Sequence, residues 1–136
     1  MDLPSPATSP PDGGSLNVAI LGSTGSIGTS TLDVIAASGG RLVPYLLAAH
    51  RNTKLLTEQA RIFRPRYAVV VDPAVAGDID PGDLPVGTQL AVGPEALDDL
   101  VQAPEVDRVV AAIAGAAGLR STWAAVSAGK TVALAN

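Results

Sequence analysis

The spacing Gly22-Ser-Thr-Gly25-Ser-Ile-Gly28 constrains this chain more than any other feature. It stands between the apolar run Leu16–Leu21 and a segment, residues 26–37, whose apolar side chains Ile27, Leu32, Ile35 and Ala36 recur at roughly helical spacing. A strand, a tight glycine turn and a helix in that order have a chemical use. Gly22 suits the turn, Gly25 lets the backbone approach a diphosphate, and Gly28 lets the helix lie against the sheet. The helix N-terminus then aims free N–H groups and a partial positive charge at the phosphates. Thr24 and Ser26 add hydroxyl donors. The spacing is G-x-x-G-x-x-G and not the commoner G-x-G-x-x-G, so the turn by itself also suits a ligand-free bend. Its setting between strand and helix favours a nucleotide.

Beyond the turn, short apolar runs alternate with helical patterns, which predicts a parallel sheet with helices packed on it. Strands are expected at 42–48, 67–71, 89–92, 108–113 and 131–135. Pro44 argues for an early or edge position in its strand. Gly39-Gly40 stops the first helix. A second helix, capped by Asn52 or Thr53, runs through Leu55, Leu56, Ala60 and Phe63 and closes before Pro65. A third starts at Pro94 and reaches Leu100, and a fourth covers 119–128 with Gly129 as its C-cap. Residues 72–87, dominated by Asp, Pro and Gly, are expected to be mostly loop. The fold class is therefore α/β, a doubly wound, mainly parallel Rossmann-type sheet with helices on both faces.

Composition narrows the partners. The 136 residues are 47% hydrophobic and 3% aromatic, with Ala, Val, Leu and Ile prominent, which suits helices layered on a buried parallel sheet. A net charge of -4 with scattered basic residues predicts neither nucleic acid nor an anionic membrane as partner. No uninterrupted apolar run approaches the roughly 18–20 residues needed to span a bilayer. The chain has no cysteine, which excludes disulfides, thiolate metal sites and a cysteine nucleophile and agrees with a cytoplasmic location. Residues 1–15 are expected to form a disordered tail: they are rich in Pro, Ser and Gly and lack the basic residues of a signal or transit peptide. Residues 16–136 then form one domain, whose last strand ends the chain at its own carboxyl tip and so looks cut at its C-terminal end.

The second informative position is the end of the second strand. NAD-binding domains place an acidic residue there, roughly 20 residues past the glycines, to hold the ribose hydroxyls. Here the sequence reads Leu46-Leu-Ala-Ala-His50-Arg51-Asn52, with no carboxylate. A carboxylate would repel a 2′-phosphate, whereas a guanidinium grips one through paired hydrogen bonds. Arg51 therefore points to NADP(H) over NAD(H); taken alone, it would read as a solvated surface arginine. His50, the single histidine, has no carboxylate beside it and reads as a packing or surface residue. Trp123, at helical spacing with Leu119 and Val126, reads as core or subunit contact. Glu95, Asp98 and Asp99 read as a solvated helix face. Asp78, Asp80 and Asp83 lack the spacing of a calcium loop. Lys130 carries no assignable role.

Three segments together resemble the N-terminal domain of the 1-deoxy-D-xylulose 5-phosphate reductoisomerase family. They are Ile20-Leu-Gly-Ser-Thr-Gly-Ser-Ile-Gly28 with Ser30-Thr-Leu-Asp-Val-Ile35, Arg51-Asn52 with Arg64-Pro-Arg-Tyr-Ala68, and Gly115-Ala-Ala-Gly-Leu-Arg-Ser-Thr122 with Ala128-Gly-Lys-Thr-Val-Ala-Leu-Ala-Asn136. The last is the most specific, and residues 72–92 match least. The resemblance implies NADPH and a divalent metal, Mg or Mn, as cofactors. The reaction it implies is rearrangement and reduction of a phosphosugar, 1-deoxy-D-xylulose 5-phosphate, to 2-C-methyl-D-erythritol 4-phosphate in non-mevalonate isoprenoid synthesis. It implies a homodimeric parent enzyme. Carried over by position, Thr24, Gly25, Ser26 and Ile27 would meet the cofactor diphosphate, and Arg51 and Asn52 the adenosine 2′-phosphate and ribose. Ala112 and Ile113 would line the cofactor's path, and Asn136 would lie near the nicotinamide.

Two departures from the family pattern matter. The family often has Gly where this chain has His50. It also continues past Asn136 with Lys-Glu-Ser and acidic metal ligands, so no catalytic or metal residue is expected within these 136 residues and the chain alone is expected to be inactive. An extended short-chain dehydrogenase shares the glycine spacing but needs Tyr-x-x-x-Lys; Tyr45 is followed four residues on by Ala49, and Tyr67 by Val71. A non-catalytic NADP-sensing module shares the fold, and the segment from Gly115 onward argues against it.

Overall fold

The computed structural model describes residues 14–135, apart from the side chain of Ala117. Residues 1–13, most of the expected tail, and Asn136 lie outside the described residues. The chain runs β1 (Leu16–Leu21), α1 (Ser26–Ala36), β2 (Leu42–Ala49), α2 (Thr53–Phe63), β3 (Tyr67–Val70), β4 (Gln89–Val92), α3 (Pro94–Val101), β5 (Arg108–Ala111), α4 (Gly115–Ser127) and β6 (Thr131–Leu134). All strand pairings are parallel, in the order β4-β3-β2-β1-β5-β6. Strands β1 to β4 are laid down outward to one side. The chain then crosses back to place β5 against the free edge of β1, and that reversal opens a crevice at the strand carboxyl ends.

Strand side chains alternate between two buried faces, which explains why the central strands are apolar without interruption. Val18, Ile20, Leu47, Ala49, Ala68 and Val70 pack with Leu32 and Ile35 of α1 and Leu56 and Ala60 of α2. Ala19, Leu21, Leu46, Ala48, Val69 and Val109 pack on the opposite side with Leu97 and Val101 of α3 and Ala125 of α4. Helices therefore cover both faces of a doubly wound parallel sheet.

Several boundaries differ from expectation for local reasons. Pro44 does lie early in its strand, but β2 is central and not an edge. The strand tolerates it because β3 pairs only from Leu46 onward, and the register with β1 shifts between Val18 and Ala19, passing over Tyr45. The stretch 72–87 is not plain loop: Pro73–Asp78 and Pro81–Asp83 form 3-10 turns, capped by the Asp72 and Asp80 side chains. Helix α4 starts at Gly115, four residues before the expected position, after the three-residue turn 112–114; Gly115 itself has φ +83.

Candidate functional site

The first turn is built by backbone contacts. Gly22 has φ +95, a conformation L side chains rarely adopt, and its N–H and that of Ser23 both donate to the Ala48 carbonyl at 2.8 and 2.9 Å. These bonds tie the turn to the end of β2. From α2, the Gln59 side-chain amide donates to the Ser23 carbonyl at 2.8 Å. A Cβ on Gly28 would lie 2.0 Å from the Gly22 carbonyl oxygen, so only glycine lets α1 sit this close. Gly25 differs: it is exposed, a Cβ there would meet nothing nearer than 3.8 Å, and it serves as the N-cap of α1 without a side-chain hydrogen bond. The leading N–H groups of α1 therefore receive no cap from that residue.

A second turn of the same kind faces it. The Ala112 N–H donates to the Leu21 carbonyl at 2.8 Å, carrying β5 alongside β1. Helix α4 then begins at Gly115 with Ala114 as an N-cap that offers no side-chain acceptor. A Cβ on Gly118 would lie 1.8 Å from the Ile113 carbonyl oxygen, which repeats the close approach made at Gly28. Between the turns is a cleft of about 290 Å³ lined by Gly22, Thr24, Gly25, His50, Ala112, Ile113 and Ala114. Two helix N-termini border this space at the point where the strand order reverses, an arrangement that suits anionic groups.

Of the expected residues, Thr24, Gly25, Ala112 and Ile113 line the cleft, Ser26, Ile27, Arg51 and Asn52 do not, and Asn136 lies outside the described residues. Ser26 and Ile27 form the exposed first turn of α1, and Ala112 and Ile113 form the wall opposite Thr24 and Gly25. His50 is exposed at the tip of β2 and lines the cleft, so it is a surface residue. Arg51 follows it, 61% exposed, with Nη1 2.9 Å from Asp72 Oδ2 at the tip of β3. Asn52 Oδ1 accepts from the Leu55 N–H at 3.1 Å and caps α2, so its amide N–H groups are what it can offer a ligand.

Other expectations are corrected. Trp123 is not core: it is 71% exposed on the outer side of α4, beside the equally uncovered Leu119. Asp98 is not solvated, because Arg120 reaches across from α4 to within 2.6 Å and leaves it 15% exposed. Lys130 has a structural role, with Nζ donating to the Ala103 and Val106 carbonyls at 2.7 and 2.8 Å. Sequence reasoning missed Gln59, Asp72 and Gly118. The spacing Gly115-x-x-Gly118 echoes Gly25-x-x-Gly28 and was a usable signal for the last; nothing near Gln59 or Asp72 in sequence indicated their partners.

A doubly wound parallel sheet with a glycine turn and two helix N-termini at its switch point is a Rossmann-type domain, the class built to hold dinucleotides. The particular family follows from comparison. The family model described as 1-deoxy-D-xylulose 5-phosphate reductoisomerase matches residues 18–136, and the chain belongs to that family. Relatives with that name from Dechloromonas aromatica (strain RCB) and Methylococcus capsulatus are 49% and 48% identical over 122 residues, covering 88% of this chain and 31% of each relative. Among solved structures, the reductoisomerase of Zymomonas mobilis in complex with NADPH matches with a TM-score of 0.81 at 41% identity, over 90% of this chain and 32% of that one. A reductoisomerase in complex with NADPH, fosmidomycin and magnesium matches with a TM-score of 0.79 at 38% identity, over 89% of this chain and 30% of that one. The chain thus spans just under a third of the length of these relatives.

Proposed function

We propose that this domain binds NADPH for an enzyme that rearranges and reduces 1-deoxy-D-xylulose 5-phosphate to 2-C-methyl-D-erythritol 4-phosphate, a step of non-mevalonate isoprenoid synthesis. The observation that carries the reading is the meeting of two helix N-termini, neither capped by a side chain, at the cleft between β1 and β5. The Zymomonas mobilis relative, solved in complex with NADPH, supports the choice of ligand.

The residues present fit that ligand. The exposed Gly25 leaves open the space a Cβ would fill, and the N–H groups of Ser26 and Ile27 at the start of α1 meet the diphosphate. Thr24 adds a hydroxyl. Arg51 and Asn52 at the tip of β2 take the adenosine 2′-phosphate and ribose, while Ala112 and Ile113 guide the cofactor across the switch point. Asn136, outside the described residues, is assigned to the nicotinamide end from its sequence position alone. Bound NADPH supplies a hydride; the residues of this domain bind and orient it. A divalent metal, Mg or Mn, belongs to the same reading of the whole enzyme. Among the described residues no group of three or more His, Cys, Asp or Glu side chains is placed to hold it. The 136-residue chain is expected to turn over no substrate. A homodimer acting in the cytoplasm completes the reading. Among the described residues no helix is long and apolar enough to cross a membrane.

Calorimetric titration tests the assignment. NADPH should bind more tightly than NADH by on the order of tenfold, the value of one charge-assisted phosphate contact. Equal affinity, or no binding of either, overturns it. An oxidation assay with NADPH, the phosphosugar and magnesium tests the second claim, and turnover by this chain overturns it.

A further inference from the structure

We propose that Asp72 is a positioning residue for the 2′-phosphate subsite: from the tip of β3 it holds the Arg51 guanidinium at the tip of β2 with one edge left open for the phosphate. The inference rests on the proposed NADPH-binding function. It adds a residue from a different strand that neither the glycine turn nor the end of β2 identifies.

Three contacts fix Asp72. Its backbone N–H donates to the His50 carbonyl at 3.0 Å, locking the tip of β3 to the tip of β2 immediately before Arg51. Its Oδ1 accepts from the Ala74 N–H at 2.9 Å, capping the turn that follows. Its Oδ2 accepts from Arg51 Nη1 at 2.9 Å. The carboxylate is 20% exposed and the guanidinium 61%, so a held anion orders a flexible cation. Among the described residues no other hydrogen bond reaches the Arg51 side chain. Nη1 is therefore occupied while Nε and Nη2 stay free, and those two donors form the side-on fork that takes two phosphate oxygens.

Two effects of Asp72 oppose each other. Its negative charge repels a 2′-phosphate, and its hydrogen bond removes rotamer freedom that Arg51 would otherwise lose on binding. At a guanidinium this exposed, water and salt damp the repulsion. Ordering of the side chain is not screened. Asp72 thus favours the 2′-phosphate, although a carboxylate facing a ribose without an arginine disfavours it.

The test uses two probes that touch only the adenosine end, 2′,5′-ADP and 5′-AMP, titrated calorimetrically into the chain and its variants. Asp72→Asn keeps an oxygen for the Ala74 N–H and removes the charge that holds Arg51. It should lower the 2′,5′-ADP over 5′-AMP preference about threefold, with 5′-AMP affinity unchanged. A preference that stays the same or rises overturns the proposal. So does equal loss of both probes, which would make Asp72 a structural residue only. Arg51→Ala separates the two levels of the argument. If it collapses the preference while Asp72→Asn does not, the positioning role fails and the 2′-phosphate subsite stands. If Arg51→Ala has no effect, or the unmodified chain binds neither probe, the subsite fails and the proposal with it.

Discussion

Gln59 of α2 reaches across the end of the sheet to donate its side-chain amide to the Ser23 carbonyl at 2.8 Å, holding the glycine turn from behind. Gln59 is 5% exposed, and among the described residues its Oε1 has no partner. Gln59→Leu would free one buried carbonyl of its donor while removing the unpartnered amide oxygen. The first effect is larger, since a buried carbonyl stripped of its hydrogen bond costs about 1–3 kcal/mol. Urea denaturation of Gln59→Leu should show a loss of about 1–2 kcal/mol. Stability equal to the parent would mean that the turn does not depend on this bond.

The glycines separate fold from binding. A Cβ at Gly28 falls 2.0 Å from the Gly22 carbonyl and one at Gly118 falls 1.8 Å from the Ile113 carbonyl, both rigid backbone. Gly28→Ala and Gly118→Ala should each cost about 3 kcal/mol or more, enough to threaten folding of a domain this size. Gly25 has φ -79 and open space, so Gly25→Ala should leave the thermal midpoint within a few degrees of the parent while its methyl lowers NADPH affinity on the order of tenfold. Circular dichroism melts beside calorimetric titration give both readings. A Gly25→Ala variant that binds NADPH normally would take the diphosphate away from this turn.

What could be read from sequence was local. Leu16–Leu21, the glycine turn and the Asn52 cap are set by neighbours a few residues apart, and the structure keeps each of them. Helix α4 instead ends on Ala128 as its C-cap, with Gly129 at φ +81 just beyond it. Gln59 and Asp72 act on residues 36 and 21 positions away, and those pairings exist only once β1, β2 and β3 lie side by side. Pro44 misled in part because its missing N–H is harmless wherever the neighbouring strand has not yet begun, even at the centre of a sheet. For Trp123 only the core alternative fails, because a helical stripe reports that a face is apolar, not what covers it. The absence of a carboxylate at the tip of β2 was correctly read from the letters, yet the fold supplies one from β3.

Two ion pairs should differ in strength. Arg120 joins α4 to α3 through Asp98 at 2.6 Å, where the carboxylate is 15% exposed and its Oδ1 has no partner among the described residues. Arg61 and Asp83 stand 3.5 Å apart, both more than half exposed. Arg120→Met should cost about 1 kcal/mol by stripping a sheltered carboxylate, reduced from the fully buried case because the arginine itself is half in water. Arg61→Met should cost less than about 0.5 kcal/mol. Denaturation midpoints that rank the two the other way would contradict the burial argument.

Tyr45 gives the domain a pH dependence on the alkaline side. Burial raises its phenol above the ordinary value of 10.0; Glu105 and Tyr67 push the same way, and Arg66 opposes them. Its ring lies 5.8 Å from that of Tyr67, against the sheet's second face. Below pH 10 the phenol is neutral in both folded and unfolded chains, so its contribution is fully present. As pH rises past 10 the unfolded chain ionises first, which draws the equilibrium toward unfolding until the folded phenol also ionises. Tyr45→Phe keeps the ring and removes the proton. Urea midpoints measured from pH 8 to pH 11.5 should fall for the parent and fall less steeply for Tyr45→Phe, while near neutral pH the two should differ little. Parallel curves would mean that the phenol titrates in the folded chain as it does in water, and that the alkaline limit of this domain is set elsewhere.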